Sequence, residues 1–341
     1  MKCWLLPACV LLLVTCSDPV ATLPNDQPVE VKKPSFFPPF DYPDDNRPTM
    51  LRVLLGRKLF YDTRLSANGT IHCGSCHALS AAFTDGRMTS PGMTGAAGTR
   101  NAPTLANIAW MKRLMMEGGV PSLETQALAP LHDSLEMGYN MMHVVERLNK
   151  DGDLAALAQK AYGRDSIDPY VITRALACFQ RTFVSGDARY DRYNLGQKDQ
   201  MSAAELRGKE LFFSERTQCS SCHGGVFFTD MDYHNIGLAI VYTDPGKARA
   251  TNKAEDLGKF KTPTLRNIQL TSPYMHDGSM SSLEEVIDFY NRGGEPHENR
   301  DSRIHSLNLT QEECNDLRAF LISLTDWNFV QNKDLLPLEG R

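Results

Sequence analysis

The chain has 341 residues, 42% of them hydrophobic and 23% charged, with a formal net charge of −5. That length and composition suit two domains of ordinary size with full apolar cores, and they exclude a disordered or low-complexity chain. The mildly acidic balance leaves no basic footprint and argues against nucleic acid as a partner.

At the N-terminus, Lys2 precedes an apolar run from Trp4 to Thr15. The run is too short for a stable membrane span and stands where a secretory signal belongs, so export to the periplasm or cell envelope is expected. The stretch Leu13-Val14-Thr15-Cys16-Ser17 resembles a bacterial lipoprotein cleavage site, with residues 1–15 as signal and Cys16 as the lipidated first residue. Thr15 fits that site poorly, and an ordinary signal peptide cut somewhat later is the alternative. Contact with a membrane is then through the lipid anchor alone. Residues 16–48, dense in proline and aspartate between Pro24 and Pro48, read as an extended, semi-rigid tether that holds the folded part of the chain off the membrane.

Regular structure begins near Thr49, where Leu51, Leu54, Leu55 and Leu59 recur at helical spacing. Further amphipathic helices are predicted over Met142 to Leu148, Val171 to Phe183, Leu283 to Tyr290 and Gln311 to Leu324, while alternation of the β type is scarce. The chain also repeats itself. Gly56-Arg57-Lys58-Leu59-Phe60 returns as Gly208-Lys209-Glu210-Leu211-Phe212, and Ala102-Pro103-Thr104-Leu105 returns as Thr262-Pro263-Thr264-Leu265. Met116-Glu117-Gly118 returns as His276-Asp277-Gly278. Two homologous domains follow, placed at residues 49–199 and 200–330 with a tail at 331–341.

Each domain carries Cys-x-x-Cys-His, as Cys73-Gly74-Ser75-Cys76-His77 and Cys219-Ser220-Ser221-Cys222-His223. Two thiols one helical turn apart can add to the two vinyl groups of one haem while the following His offers its imidazole to the iron. A zinc site would want a second Cys or His pair within a small module, and a redox dithiol would sit beside a βαβ pattern; neither copy does. The expected fold is all-α, two cytochrome c-like domains, each with one covalently attached c-type haem. Of the remaining cysteines, Cys178 and Cys314 either pair or stay as two buried thiols.

With these motifs, Arg100-Asn101-Ala102-Pro103-Thr104 and Pro273-Tyr274-Met275-His276-Asp277-Gly278, the run from Pro38 to Asp326 resembles the bacterial dihaem cytochrome c peroxidase and MauG family. Ser185-Gly186, Tyr190-Asp191-Arg192-Tyr193 and Tyr233-His234-Asn235-Ile236-Gly237-Leu238 are similar to its MauG-like, MbnH-like branch.

The resemblance implies a peroxidatic N-terminal haem with His77 as proximal ligand and with Gln126, Pro130 and Glu136 above the iron. Glu136 would shuttle the proton that O–O cleavage requires, Gln126 would orient the peroxide, and Pro130 would exclude a protein ligand. Where some relatives close this iron with a His, this chain has Met93; an open haem is expected, with closure by the Met93 thioether as the alternative. On the C-terminal haem, with His223 proximal, the resemblance places Tyr290 as the second axial ligand, with Met275 and His276 as alternatives. From the residues alone, Tyr290 shares a helix face with Leu283, Val286 and Ile287 and reads as core. Asn101 with the carbonyls of Thr271 and Pro273 matches the family's calcium site. Where relatives carry an inter-haem Trp this chain has Met116, so either Trp110 or a Tyr serves as relay or the haems couple weakly.

Three functions follow from the resemblance. The first is a peroxidase reducing hydrogen peroxide with electrons passed through the C-terminal haem from a small donor cytochrome. The second is a MauG-like oxidase that uses peroxide to modify Trp or Tyr of a protein substrate. The third is a non-catalytic dihaem electron carrier.

Overall fold

In the computed structural model, residues 25–138 and 140–338 are described, so the signal segment and Cys16 lie outside the described residues. The main helices are α1 (Met50–Phe60), α2 (Met141–Leu148), α3 (Gly152–Tyr162), α4 (Pro169–Gln180), α5 (Arg189–Asn194), α6 (Ala203–Phe212), α7 (Leu283–Arg292) and α8 (Gln311–Ile322). Their starts follow ordinary capping chemistry. Thr49 accepts from the backbone of Arg52 ahead of α1, Asp168 caps α4 with Pro169 at its first position, and Ser202 with Glu205 and Thr310 with Glu313 close reciprocal boxes on α6 and α8. The sheet content among the described residues is one short antiparallel pair, β1 (Tyr233–His234) with β2 (Phe260–Lys261).

The internal repeat is visible as two equivalent helix crossings. α1 packs on α4 at Gly56, where a Cβ would lie 1.9 Å from the carbonyl oxygen of Ala175. α6 packs on α8 at Gly208, where a Cβ would lie 1.9 Å from the carbonyl oxygen of Asp316. Only glycine admits so close an approach of two backbones. Around each crossing a separate apolar cluster forms: Leu55, Leu59, Phe60, Phe83, Phe179 and Phe183 in the first half, and Phe212, Phe228, Leu317 and Phe320 in the second. Cys178 belongs to the first half and Cys314 to the second cluster, and both are free thiols.

The two halves are tied by buried polar groups. Asn107 and Asn267, equivalent in the repeat, both adopt positive φ (58° and 62°). Asn107 exchanges hydrogen bonds with the backbone of Ser185 (2.8 and 2.9 Å), and Asn267 donates to the Ser185 hydroxyl (2.9 Å) while accepting from the backbone N–H of Asp326 (2.8 Å). The Asp326 carboxylate in turn accepts from the Ser185 hydroxyl and from the N–H groups of Gly186 and Asp187 (3.2, 2.9 and 3.0 Å). Next to this knot Arg266 and Asp191 form a bidentate pair (2.8 and 2.9 Å), both almost fully buried.

The proline-rich segment departs from the expected free tether. It is extended, but it lies on the body as a strap: the backbone of Val29 donates to Pro48 and that of Met50 to Gln27 (3.0 and 2.8 Å), Phe37 is 2% exposed and Asn46 is fully buried. Prolines prevent a ladder, yet the aromatics between them carry enough apolar surface to hold the strap down. The end of the chain also returns to the first half. Phe329 and Leu335 join its core, and Tyr61 donates its hydroxyl to the carbonyl of Leu335 (2.6 Å).

Candidate functional site

Each Cys-x-x-Cys segment forms a single helical turn, Cys73–Cys76 and Cys219–Cys222, closed by the His backbone N–H donating to the first Cys carbonyl (3.0 and 2.8 Å). The imidazoles are then fixed in the same way. His77 Nδ1 lies 2.8 Å from the carbonyl oxygen of Phe83, and His223 Nδ1 lies 3.2 Å from that of Phe228. Both phenylalanines adopt positive φ (62° and 53°), which turns their carbonyls toward the rings. A Thr hydroxyl braces each loop: Thr104 on the carbonyl of Ala82 (2.5 Å) and Thr264 on that of Phe227 (2.6 Å).

Burial pushes both imidazoles below their ordinary pKa, which favours the neutral ring. A neutral imidazole that donates Nδ1–H to a carbonyl keeps its lone pair on Nε2, the state a metal requires. With two thiols on the adjoining turn, the residues fit a covalently attached haem at each site.

At the first site Glu136 rides on a turn pinned from several sides. Its N–H donates to the carbonyl of Asp133, its carbonyl accepts from Met93 (2.8 Å), and the following Met137 N–H donates to the carbonyl of Pro130 (3.2 Å). The Glu136 side chain is open to solvent on one side, yet burial, with a contribution from Asp133, raises its carboxyl above the ordinary range. Its charge reaches the haem motif: the Cys73 thiol is pushed up to about 12 by burial, then by Cys76 and by the Glu136 charge, and the Cys76 thiol feels the same carboxylate. Pro130 and Glu136 are thus brought together. Gln126 ends the helical turn Leu123–Gln126, one turn before Pro130, and its amide has no hydrogen-bond partner among the described residues. The methyl and sulfur of Met93 pack over Gly138, 2.3 and 3.0 Å from where a Cβ would stand, so this thioether is engaged in packing.

At the second site α7 buries Leu283, Ile287 and Phe289 and carries Tyr290 half-buried beside that cluster. Burial raises the Tyr290 phenol, and the next contributions come from Cys219 and Cys222. No protein group among the described residues bonds its hydroxyl. His276, one of the alternatives, is instead stacked on Phe260 with centroids 3.8 Å apart.

Asn101 donates its backbone N–H to the carbonyl of His276 (2.8 Å) and its amide to the carbonyl of Arg87 (2.7 Å). This brings the loop of Asn101 against the segment that holds Thr271 and Pro273 and leaves the Asn101 amide oxygen as an acceptor.

Residues at this junction make contacts that their local sequence does not signal. Arg100 bridges Glu117 and Asp244, donating to both Asp244 oxygens (2.6 and 2.9 Å). Against the opposing effect of burial, Arg100 holds the Asp244 carboxyl down to about 2. Tyr233, on β1, presses its buried and unpartnered hydroxyl against Gly118, in the loop of Met116. Lys261 of β2 clasps the same loop, donating its N–H to the carbonyl of Met116 (2.9 Å) and its ammonium to that of Arg113 (2.9 Å). An aromatic ring is therefore present beside Met116, but from the other half of the chain, where local sequence could not signal it.

Residues 51–199 match the family model described as di-haem cytochrome c peroxidase. The chain is 37% identical to the methylamine utilization protein MauG of Methylorubrum extorquens, over 83% of this chain and 80% of that protein. It is 32% identical to the cytochrome c551 peroxidase of Nitrosomonas europaea, over 80% of this chain and 79% of that one. Among solved structures, a MauG-like protein associated with microbial copper homeostasis superposes with a TM-score of 0.86 at 37% identity, over 91% of this chain and 99% of that chain. The diheme peroxidase BthA of Burkholderia thailandensis shares the fold at a TM-score of 0.72 and 23% identity. The paired Cys-x-x-Cys-His turns, their identically braced histidines and these relationships over most of the chain lead to one assignment: the chain belongs to the di-haem cytochrome c peroxidase family.

Proposed function

We propose that the chain is an exported oxidoreductase that reduces hydrogen peroxide at its N-terminal site, with electrons delivered through its C-terminal site. Cys73, Cys76 and His77 would hold one haem, and Cys219, Cys222 and His223 the other. A c-type haem supplies, when bound, an iron that coordinates peroxide or exchanges electrons.

The observation that carries this reading is Glu136, a carboxylate with a raised pKa whose charge acts on the cysteines of the first site. Reducing peroxide to water moves a proton from the near oxygen to the departing one. A carboxyl poised above its ordinary range accepts and returns that proton more readily than a fully solvated one. Gln126, with its amide uncommitted, orients the peroxide. Pro130, lacking an N–H, shapes the turn and offers the iron no ligand, and Met93 stays on Gly138. An electron carrier without catalysis has no use for this set.

Tyr290 favours a second use of the same site. A phenol offered to the iron of a bound haem would stabilise its oxidised state, where a thioether would raise the potential. That suits storage of oxidising equivalents and hence modification of Trp or Tyr on a partner protein, as against rapid turnover with a donor cytochrome. A calcium ion on Asn101 and the carbonyls of Thr271 and Pro273 would brace the junction of the two halves. The cell envelope, with a lipid on Cys16, is the proposed location.

The direct test is peroxide consumption by the haem-loaded Glu136→Gln variant, which keeps size and polarity but cannot shuttle a proton. A fall of roughly a hundredfold or more is expected. Unchanged turnover would remove the basis of the reading.

A further inference from the structure

In the first half a charged pair is buried where the repeat does not require it. Glu124 lies in the turn Leu123–Gln126 and pairs with Arg181, at the end of α4, at 2.6 Å; the two side chains are 9% and 5% exposed. The equivalent residue of the second half, Glu284, pairs with Arg318 of α8, the counterpart of α4, but there the side chains are 52% and 46% exposed. Both halves therefore tie this position to the later helix, and only the first desolvates the tie. A buried pair is no better for stability than well-packed apolar residues, and Arg181 Nη1 has no partner among the described residues. What such a pair supplies is a fixed geometry.

The strap completes the arrangement. Asn46, fully buried, donates its amide to Glu124 Oε1 (2.9 Å) and to the carbonyl of Arg174 (3.1 Å). Its amide oxygen accepts from the Tyr162 hydroxyl (3.3 Å) and the Cys178 thiol (3.2 Å). Glu124 is thus held from the strap and from the end of α4 at once. Two positions along the same turn stands Gln126, half-buried and with its amide uncommitted. Residues two apart on a helical turn point about 200° apart, so the clamp grips the face opposite Gln126.

We propose that Asn46 and Arg181 are positioning residues of the first site: gripping Glu124 from behind, they set the angle at which Gln126 meets peroxide. The strap is then a working part of that site. The proposal rests on the peroxide-reducing reading above, which gives Gln126 its task. Orientation of a bound reactant is sensitive to displacements of about 1 Å, so a turn freed on its buried side loses rate without losing the fold.

The test is a double-mutant cycle on the haem-loaded full chain: wild type, Asn46→Ala, Gln126→Ala and the two together. Two quantities are read: kcat/KM for hydrogen peroxide, and the dissociation constant of cyanide at the first iron, a diatomic ligand that Gln126 can likewise hydrogen-bond. Asn46→Ala should lower kcat/KM and weaken cyanide binding by about tenfold while Gln126 is present, and by less than about twofold once it is gone. Glu124→Met/Arg181→Met replaces the pair by apolar chains. It should keep the thermal midpoint within a few degrees of wild type and show the same loss in both readouts, again only with Gln126 in place. Should Asn46→Ala fail to fold, the Met pair carries the cycle. Equal losses with and without Gln126 would mean that the clamp merely stabilises the fold, and that result overturns the proposal. So would a Gln126→Ala variant with unchanged cyanide affinity. If the wild type consumes no peroxide, the enzymatic reading fails, while the cyanide cycle still decides the positioning.

Discussion

Glu136 shows how one side chain couples stability to function. Burial, then Asp133, raises its folded-state pKa, so the fold prefers the protonated carboxyl and ionisation costs stability at pH above that raised value. The cost builds up between the ordinary carboxyl value and that raised value and is absent below both. Glu136→Gln should therefore leave the thermal midpoint at neutral pH unchanged or slightly higher while turnover is lost. The acidic limb of the wild-type pH–rate profile should lie above the ordinary Glu range and should vanish in the variant. Tyr290 allows a similar test at the second site. Tyr290→Met should raise that site's reduction potential in a spectroelectrochemical titration, since a thioether replaces a phenol; an unmoved potential and spectrum would mean that the phenol is only a core residue of α7. At this scale the sequence is informative where chemistry fixes spacing, as in the two Cys-x-x-Cys-His turns. It is silent where partners come from the other half of the chain, as with Tyr233 against Gly118 or Arg100 on Asp244.

Among the elements, the repeated Gly-x-x-Leu-Phe phrase shows what the periodic helices are for. Gly56 and Gly208 each mark the point where the helix before a haem motif meets the backbone of a later helix, α4 or α8. A methyl group there overlaps a carbonyl oxygen that no side-chain rotation can move, so the helices must separate. Gly208→Ala should cost about 1–3 kcal/mol or more by overpacking, read as a lower urea midpoint with the helices otherwise retained. The apolar periods located α1, α2, α4, α7 and α8 to within a few residues; α2 and α7 bury one face, whereas α4 is buried nearly all round. The strap was misread for a physical reason. Proline density reports the lack of a hydrogen-bond ladder, but docking depends on Phe37, Phe40 and Asn46, whose partners lie in distant elements.

At the level of the molecule, two similar domains become one enzyme only if their sites keep a fixed separation, and the knot around Asp326 provides that. Its carboxylate gathers the Ser185 hydroxyl and the N–H groups of Gly186 and Asp187, and its own N–H is held by Asn267. The Ser185-Gly186 phrase was legible as a family resemblance, but its role as the crossing point of both Asn-centred turns appears only once the halves are folded together. Asp326→Ala leaves the buried Ser185 hydroxyl, the buried Gly186 N–H and the partly buried Asp187 N–H without an acceptor, a loss on the order of 3 kcal/mol. Because these donors join the domains and lie outside both apolar cores, the loss should fall on the junction. The wild type is expected to unfold in one calorimetric transition, and Asp326→Ala in two, with each core melting near its own midpoint. Peroxide consumption at the first site should then survive while its coupling to an external reductant falls. A single transition merely shifted to lower temperature would show instead that the burial of Phe329 and Leu335 against the first half suffices to hold the domains together.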